Sequence, residues 1–359
     1  MARLLLADGR IEDAWQRIDQ IADPLGRSYA CARLVKELDA ATEPSIAIEK
    51  LRDAAALTDQ ISSSKRRDQI RADIAGNQAE WTDVEGALGT LARLNVPPSN
   101  RLFINAINSI VKASVKQGNL SDARAVLSRV RDEQGGLHAR LTYLRSLATW
   151  VSMDHAKDAA QRIDDNTEKA QAYVELAKIA ARSQDAQTLR SMIAAALSAT
   201  DRLRAKPQQD QPQKTLAMIL KDLADLQIEA DDHLGAAEAA RHIQAPDLRR
   251  QSYRDIARAH VRAGSHDSAR LIVRSHLNGP HEVHYANQVY EALAGALSEA
   301  GRLEEAEWTI RHIRGFSIPS RVRAYRKLAA QWAGLARLCF RSSVTPAETA
   351  AAAVPGATT

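Results

Sequence analysis

A short motif recurs along the chain: a glycine followed five residues later by an alanine. It occurs as GRIEDA from Gly9, GNLSDA from Gly118, GSHDSA from Gly264 and GRLEEA from Gly301. The glycines lie 109, 146 and 37 residues apart, which corresponds to about three, four and one steps of about 36 residues. One period therefore relates all four copies, and it predicts a fold built from repeated units that stack on their neighbours.

Weaker copies occupy the intervening steps. TDVEGA from Thr82 and DDHLGA from Asp231 each occur one step before a strong copy. Segments 43–57, 151–164 and 184–196 fill the remaining steps, with turns that lack the glycine. The period is therefore expected to run through most of the chain.

Each repeat predicts two helices joined by the glycine turn. Before the turn, apolar residues recur at spacings of three and four, which places them on one helix face. In the last clear copy these residues are Tyr290, Leu293, Ala294 and Leu297. After the turn of that copy, the apolar residues are Ala306, Ile310 and Ile313. Glycine provides the left-handed conformation that ends the first helix, and the alanine lets the two helices cross closely. Prolines that stop or start helices gather near the repeat boundaries, at Pro24, Pro97, Pro98, Pro246, Pro280 and Pro319.

In the order of these residues the frame resembles the tetratricopeptide repeat, and the resemblance covers residues 1–338. A further copy begins with Tyr325, Leu328 and Ala329 and places Trp332 in the aromatic core position. The resemblance implies an all-α fold, a right-handed α-solenoid of stacked antiparallel helix pairs with a period of about 36 residues.

Composition agrees with this fold class. Aromatic residues make up 4% of the 359 residues, and there are 16 glycines and 11 prolines, which argues against an all-β protein. Hydrophobic residues at 45% and charged residues at 26% argue against a disordered chain. Cys31 and Cys339 are too far apart in sequence to indicate a disulfide framework or a zinc site.

The sequence also predicts domain limits. Helical repeats are expected over residues 1–200 and 215–338, separated by a loop or joint at 201–214 (DRLRAKPQQDQPQK), with a low-complexity, disordered tail at 339–359. Only two helical turns precede Gly9, so the first repeat is expected to be truncated, either as a short cap or because the true start lies upstream. The apolar run near Met1 is too short for a signal-peptide core, and no segment has 18 uninterrupted apolar residues, so we expect a cytoplasmic protein without a membrane partner.

Motifs that carry catalytic chemistry are absent from the sequence, which has no glycine-rich phosphate loop, GxSxG, CxxC or HExxH. The nearest approach to a metal site is His276, His281, Glu282 and His284, for which we favour solvated histidines in a boundary loop. We therefore expect a non-enzymatic chain with no cofactor and no metal.

Cys31 and the tryptophans have structural interpretations. Cys31 lies in an apolar helical segment (YACARLV), where a buried thiol is favoured over a nucleophile. For Trp15, Trp308 and Trp332 we favour packing between helices over stacking on a ligand.

Charge is distributed unevenly along the chain. The net charge is +5; residues 241–359 contribute +7 and residues 1–240 contribute −2. The cationic C-terminal third is suited to an acidic peptide, an anionic surface or nucleic acid. The alternative is a mixed, solvated helix surface.

The resemblance assigns the lining of a concave groove to first-helix positions five, nine and thirteen. These positions hold basic residues in several repeats, namely Arg254, Arg258 and Arg262, Lys112 and Lys116, Lys178 and Arg182, and Arg326. Equivalent positions elsewhere hold Asp225, Glu229, Glu291 and Glu299, so the groove is patchy, and solvated side chains with local ion pairs are the alternative interpretation.

Three functions follow as hypotheses. The first is a scaffold that binds a protein or peptide with an acidic segment, gripped by Arg254, Arg258 and Arg262. The second is nucleic-acid binding through the basic C-terminal third. The third is an accessory module for an enzyme or regulatory protein encoded elsewhere.

Overall fold

The computed structural model describes residues 2–38, 44–130, 133–205, 213–313 and 318–343. Across these ranges every regular element is a helix and none is a strand. The predicted all-α class is therefore confirmed. Contacts divide the chain into two units, residues 1–183 and 184–359.

Among its described residues, the first unit contains five complete helix pairs and one further helix. Its first helices are α1 (Ala2–Ala7), α3 (Pro24–Glu37), α5 (Ser64–Glu80), α7 (Arg101–Lys116), α9 (Glu133–Trp150) and α11 (Asn166–Arg182). Its second helices are α2 (Ile11–Asp19), α4 (Pro44–Leu57), α6 (Val84–Ala92), α8 (Leu120–Arg129) and α10 (Met153–Gln161), with a short 3-10 turn at Thr58–Gln60 after α4.

The second unit continues the alternation. Its second helices are α12 (Ala186–Ala205), α14 (His233–Arg241), α16 (His266–His276) and α18 (Leu303–Arg311). Its first helices are α13 (Gln213–Glu229), α15 (Pro246–Arg262), α17 (Val283–Glu299) and α19 (Ile318–Ser343).

Within each unit the pairs stack in chain order. First helices α3, α5, α7, α9 and α11 pack each on the next, and so do α13, α15, α17 and α19. The second helices that follow these first helices within a unit also contact the next first helix along the chain. This is the α-solenoid arrangement in which each repeat buries its apolar stripe against its neighbours.

The predicted glycine turns have the expected backbone. Gly9, Gly118, Gly264 and Gly301 have φ of 74°, 80°, 73° and 74°. After Gly118, the Asn119 amide donates to the Ser114 carbonyl at 2.8 Å, the hydrogen bond of a Schellman cap. The glycines therefore end their helices as predicted.

Three weaker turns adopt the same conformation without glycine. Thr82, Gln184 and Asp231 have φ of 69°, 56° and 61°. The amides of Asp83 and Asp232 make the equivalent capping bonds, at 2.8 and 2.7 Å. Because left-handed backbone is unfavourable for residues with a Cβ, these turns store strain that the glycine turns avoid.

The strain predicts opposite effects of exchanging residues at equivalent turns. Thr82→Gly should raise the free energy of unfolding by about 1 kcal/mol, whereas Gly118→Ala should lower it by about 1 kcal/mol. Urea titration followed by circular dichroism measures both. Gly89→Ala is the matched control, because Gly89 lies inside α6 with open space around its Cβ position and should be stabilised by the same change. Destabilisation by Thr82→Gly would contradict this assignment of strain.

The repeat frame also places the core. The apolar residue eight positions before each turn residue is 0% exposed in six first helices; these residues are Ile74, Ile110, Leu176, Leu223, Ile256 and Leu293. The alanine five residues after the turn is also 0% exposed wherever the frame predicts one, at Ala14, Ala87, Ala123, Ala236, Ala269 and Ala306. The close helix crossing predicted for these alanines agrees with their burial.

The helices extend into segments for which loop or disorder is predicted. Helix α12 continues through 201–205, and α13 begins at Gln213, so those parts of the predicted joint at 201–214 are helical; residues 206–212 lie outside the described residues. Helix α19 continues to Ser343, beyond the predicted limit at 338, while 344–359 lie outside the described residues. Helices α12 and α19 therefore continue past residues 200 and 338, where the polar composition predicted that the helical repeats end.

The core positions predicted at Tyr325 and Trp332 are wrong, whereas the one at Leu328 is confirmed. Trp332 is 55% exposed and Tyr325 is 43% exposed, although Leu328 on the same helix is 7% exposed. Helix α19 packs on α17 and α18, and the described part of the chain contains no later helix to cover its other side. Trp15, in contrast, is 6% exposed, as predicted.

Candidate functional site

The exposed stripe of the first helices is the surface on which the predicted binding residues lie; we call it the first-helix face. In α15 the side chains of Tyr253 and Ile256 are buried, while Arg258 and Arg262 are exposed. Pro246 at the first helical position fixes where α15 begins. The spacing of four residues then keeps the arginines on one side.

Arg254 is engaged in an ion-pair network. Its guanidinium donates to both carboxylate oxygens of Asp255 at 2.9 and 3.0 Å and to the Gln288 amide oxygen at 3.3 Å. Lys221 lies 3.5 Å from Asp255 and 2.6 Å from Asp225. The network therefore links α13, α15 and α17, and Arg254 is less available to a ligand than its neighbours on α15.

Arg258 and Arg262 are exposed and form no ion pair within the described residues. On the adjacent helix α17, the equivalent of Arg258 is Gly295, where an added Cβ would stand 3.7 Å from Lys327 Nζ of α19. The glycine thus leaves room for Lys327 to lie across α17. Cations from α15 and α19 flank a helix surface that carries no side chain at this point.

Acidic residues of the same face are largely neutralised by partners of their own. Arg323 donates to both oxygens of Glu291 at 2.7 and 3.1 Å. Burial raises the pKa of Asp225, although the hydrogen bond and charge of Lys221 act in the opposite direction. The positive charge of Arg258 is therefore not cancelled by these two carboxylates.

The other predicted residues are dispersed. In the first unit, Lys112 lies 5.5 Å from the Trp150 ring and Lys116 is exposed. Lys178 pairs with Glu175 at 3.3 Å, and Arg182 is exposed. In the second unit, Arg326 is exposed on α19. The structure brings Arg254, Arg258 and Arg262 together on α15. A binding surface that extends from them to Lys178 and Arg182 stays a prediction, because those two residues belong to the other unit.

The first unit carries a groove that the sequence did not reveal. Its volume is about 340 Å³, and it crosses the first helices α3, α5 and α7. The lining includes Tyr29, Arg33, Lys36, Gln69, Asp73, Gly76, Asn105 and Ser109. The groove therefore runs across three consecutive repeats on the first-helix face.

Gly76 forms the floor of this groove. A Cβ at Gly76 would stand 3.3 Å from Ser109 Cβ, so glycine permits the close approach of α5 and α7. The Asn77 amide donates to the Ala32 carbonyl at 2.8 Å and ties α5 to α3. Gly76 and Gly295 occupy the same place in the repeat frame, six residues before Thr82 and Gly301, and this repeated glycine is the sequence signal that could have identified both sites.

The groove combines a cationic wall with a carboxylate. Arg33 and Lys36 are exposed on α3, and Asp73 faces them from α5. Partial desolvation raises the pKa of Asp73, while the hydrogen bond from Gln69 and the charge of Lys36 lower it. Asn105 supplies both an amide donor and a carbonyl acceptor on the opposite side. These groups are suited to the alternating donors and acceptors of an extended polypeptide.

The histidines and Glu282 of the segment weighed as a metal site make other contacts. His276 stacks on Tyr253 at 3.9 Å between ring centroids, Glu282 accepts from Arg250 at 2.7 Å, and His284 lies 2.7 Å from the Gln288 amide. Among the described residues, no group of three histidine, cysteine, aspartate or glutamate side chains is placed to hold a metal ion.

Cys31 is buried, as predicted. Its Sγ lies 3.1 Å from the Lys50 carbonyl, and burial raises the pKa of the thiol to about 12. A thiol that stays protonated is a poor nucleophile. Within the part of the chain that the structure describes, no helix has the length and apolar character needed to cross a membrane.

Comparisons with known proteins are weak. No protein-family model and no curated protein matches the chain. Among solved structures, it is similar to the crystal structure of Ton1535 from Thermococcus onnurineus NA1, with 14% identity over 91% of this chain and 97% of that one and a TM-score of 0.28. It is also similar to a circular tandem repeat protein with novel repeat topology and enhanced subunit contact surfaces, with 15% identity over 96% of this chain and 83% of that one and a TM-score of 0.25. Neither likeness bears on the site.

Proposed function

We propose that the chain is a non-enzymatic scaffold that holds an extended polypeptide on its first-helix face. The observation that carries this proposal is the groove across α3, α5 and α7, with Gly76 at its floor. A groove that spans three repeats exposes polar side chains at helical intervals, which suits main-chain recognition. The resemblance to tetratricopeptide repeats supports the same mode of binding.

The preference for an acidic segment is assigned to the second unit. Arg258 and Arg262 are spaced by about 6 Å along α15, and Lys327 lies across α17 beside them. Arginine makes paired bonds to carboxylates through its planar fork. A polypeptide with carboxylates at similar intervals is therefore the ligand class that these cations favour.

Nucleic acid is the second candidate, supported by the charge of +7 in residues 241–359. The arrangement of the first-helix face disfavours it, because the exposed Glu299 of α17 occupies the repeat position that Arg262 holds on α15 and interrupts the row of cations. A phosphate backbone needs an uninterrupted cationic track. An accessory module would use the same face to dock its partner enzyme. A reducing compartment, the cytoplasm, suits the free thiol of Cys31.

Charge reversal at Arg258 tests the proposal. Arg258→Glu should weaken binding of a fluorescein-labelled glutamate-rich peptide by about tenfold, equivalent to about 1.4 kcal/mol, as measured by fluorescence anisotropy. Because Arg258 is exposed, the melting temperature of the Arg258→Glu variant should stay close to that of the wild type.

Arg249→Glu is the matched control, because Arg249 is exposed on the same helix but lies off the first-helix face. It should bind the peptide like the wild type. A labelled single-stranded RNA serves as the rival ligand. Tighter binding of RNA than of peptide, with a steep loss at high salt, would replace the proposed function by nucleic-acid binding.

A further inference from the structure

The second helices of the last two complete pairs carry an exposed cluster away from the first-helix face. Leu271 of α16 and Trp308 of α18 are 64% and 39% exposed. They lie seven residues after Gly264 and Gly301, so they are equivalent residues of consecutive repeats. Together with Asp267, Arg270, Arg274 and Glu305 they line an open depression of about 510 Å³. We call this set the Leu271–Trp308 patch.

The indole of Trp308 is held in place by its neighbours. The His312 ring lies 3.7 Å from it between centroids, and His312 Nδ1 is 2.8 Å from the Trp308 carbonyl oxygen. The guanidinium carbons of Arg270 and Arg274 lie 5.4 and 5.9 Å from the ring centroid, within cation–π range. These contacts hold the indole in one orientation, which lowers the entropic cost of binding a partner against it.

The two arginines differ in their charge balance. Arg270 pairs with Asp267 at 3.0 Å and with Glu305 at 3.1 Å, so its charge is satisfied within the patch. Arg274 is exposed and has no carboxylate partner within the described residues. The patch therefore offers one uncompensated guanidinium beside two exposed apolar side chains.

We propose that the Leu271–Trp308 patch docks a partner protein segment in which an apolar side chain is flanked by carboxylates. The apolar side chain would contact Leu271 and Trp308, and a carboxylate would pair with Arg274. Tryptophan and arginine are the residues that most often dominate binding energy at protein interfaces. The site is distinct from the first-helix face because it lies on second helices.

Nucleic acid fits this patch poorly. His312 and the two arginines already engage the indole ring, which leaves little of it for stacking by a base. An acidic amphipathic segment avoids this conflict, because it needs only the edge of the ring, Leu271 and Arg274.

The test uses a fluorescently labelled helical peptide that carries a row of leucines flanked by glutamates. Fluorescence anisotropy measures its binding to the full chain. Leu271→Glu and Arg274→Glu should each weaken binding by about tenfold. Leu4→Glu and Arg190→Glu are matched controls at exposed positions outside the patch, and both should bind like the wild type.

Several results would overturn the proposal. Undiminished binding by both patch variants would remove it, as would equal binding of a peptide in which lysines replace the glutamates. Absence of binding by the wild type would do the same. Self-association of the wild type that Leu271→Glu abolishes would assign the patch to a second copy of the chain and not to an acidic partner. Because Leu271 and Arg274 are exposed, unchanged melting temperatures should accompany the expected losses.

Discussion

Replacing Arg71 by alanine is expected to lower the free energy of unfolding by about 3–5 kcal/mol, the cost of removing one partner from a buried charge network. The Arg71 side chain is 8% exposed and donates to Thr58 Oγ1 at 2.9 Å, to the Arg93 carbonyl at 2.5 Å and to Asp59 at 2.5 Å. Asp68, which is 3% exposed, lies 3.8 Å away. Alanine would leave Thr58 Oγ1 and the Arg93 carbonyl without this donor and would remove the neighbouring positive charge from Asp68.

The position of Arg71 within the network explains the size of this effect. Burial and the neighbouring Arg93 both lower the pKa of Arg71, so the charged guanidinium depends on its hydrogen-bond partners to offset its lost hydration. Urea titration measures the loss as a lower midpoint with an unchanged slope. Arg66→Ala, at an exposed position of the same helix, should change the free energy of unfolding by less than about 0.5 kcal/mol. A loss below about 1 kcal/mol for Arg71→Ala would show that water replaces these bonds.

Truncation of Leu293 to alanine is expected to cost about 2–5 kcal/mol, the usual range for a buried leucine. Leu293 is 0% exposed in the core of the second unit, and it occupies the repeat position that is fully buried in six first helices. Because α17 contacts both α15 and α19, the cavity would weaken packing on two neighbouring repeats.

The same leucine-to-alanine change at an exposed site is the control. Leu234 is 86% exposed on α14, so Leu234→Ala should alter the free energy of unfolding by less than about 0.5 kcal/mol. Thermal unfolding of both variants gives the comparison. Equal melting temperatures for the Leu293 and Leu234 variants would mean that the repeat frame does not identify the core.

The turns and the core were predictable because both depend on local pattern. Thr82 and Asp231 were identified from their resemblance to the glycine motif, and the structure gives both residues left-handed backbone. The buried position represented by Leu293 follows from helical periodicity, which needs no knowledge of the neighbouring repeat. Side-chain exposure at Trp332 was not predictable in this way, because it depends on which helix packs against α19.

The candidate sites required tertiary information for a related reason. Lys327 reaches Gly295 from the next repeat, and the groove around Gly76 depends on the approach of Ser109 from α7. A sequence frame places residues at equivalent positions but does not show which side chains cross between helices. The pairing of Arg254 with Asp255 agrees with the alternative interpretation of local ion pairs, whereas the contact of Arg254 with Gln288 depends on the neighbouring helix α17.

A charge exchange at Arg258 tests the central claim, that the first-helix face binds an acidic polypeptide through its unpaired cations. Arg258→Glu should weaken binding of the glutamate-rich peptide by about tenfold and should bind the corresponding lysine-rich peptide more tightly than the wild type does. Both titrations are made by anisotropy at the same ionic strength, with Arg249→Glu as the control. The account predicts that the preference reverses for Arg258→Glu only. An unchanged preference in Arg258→Glu, or an equal change in Arg249→Glu, would contradict it.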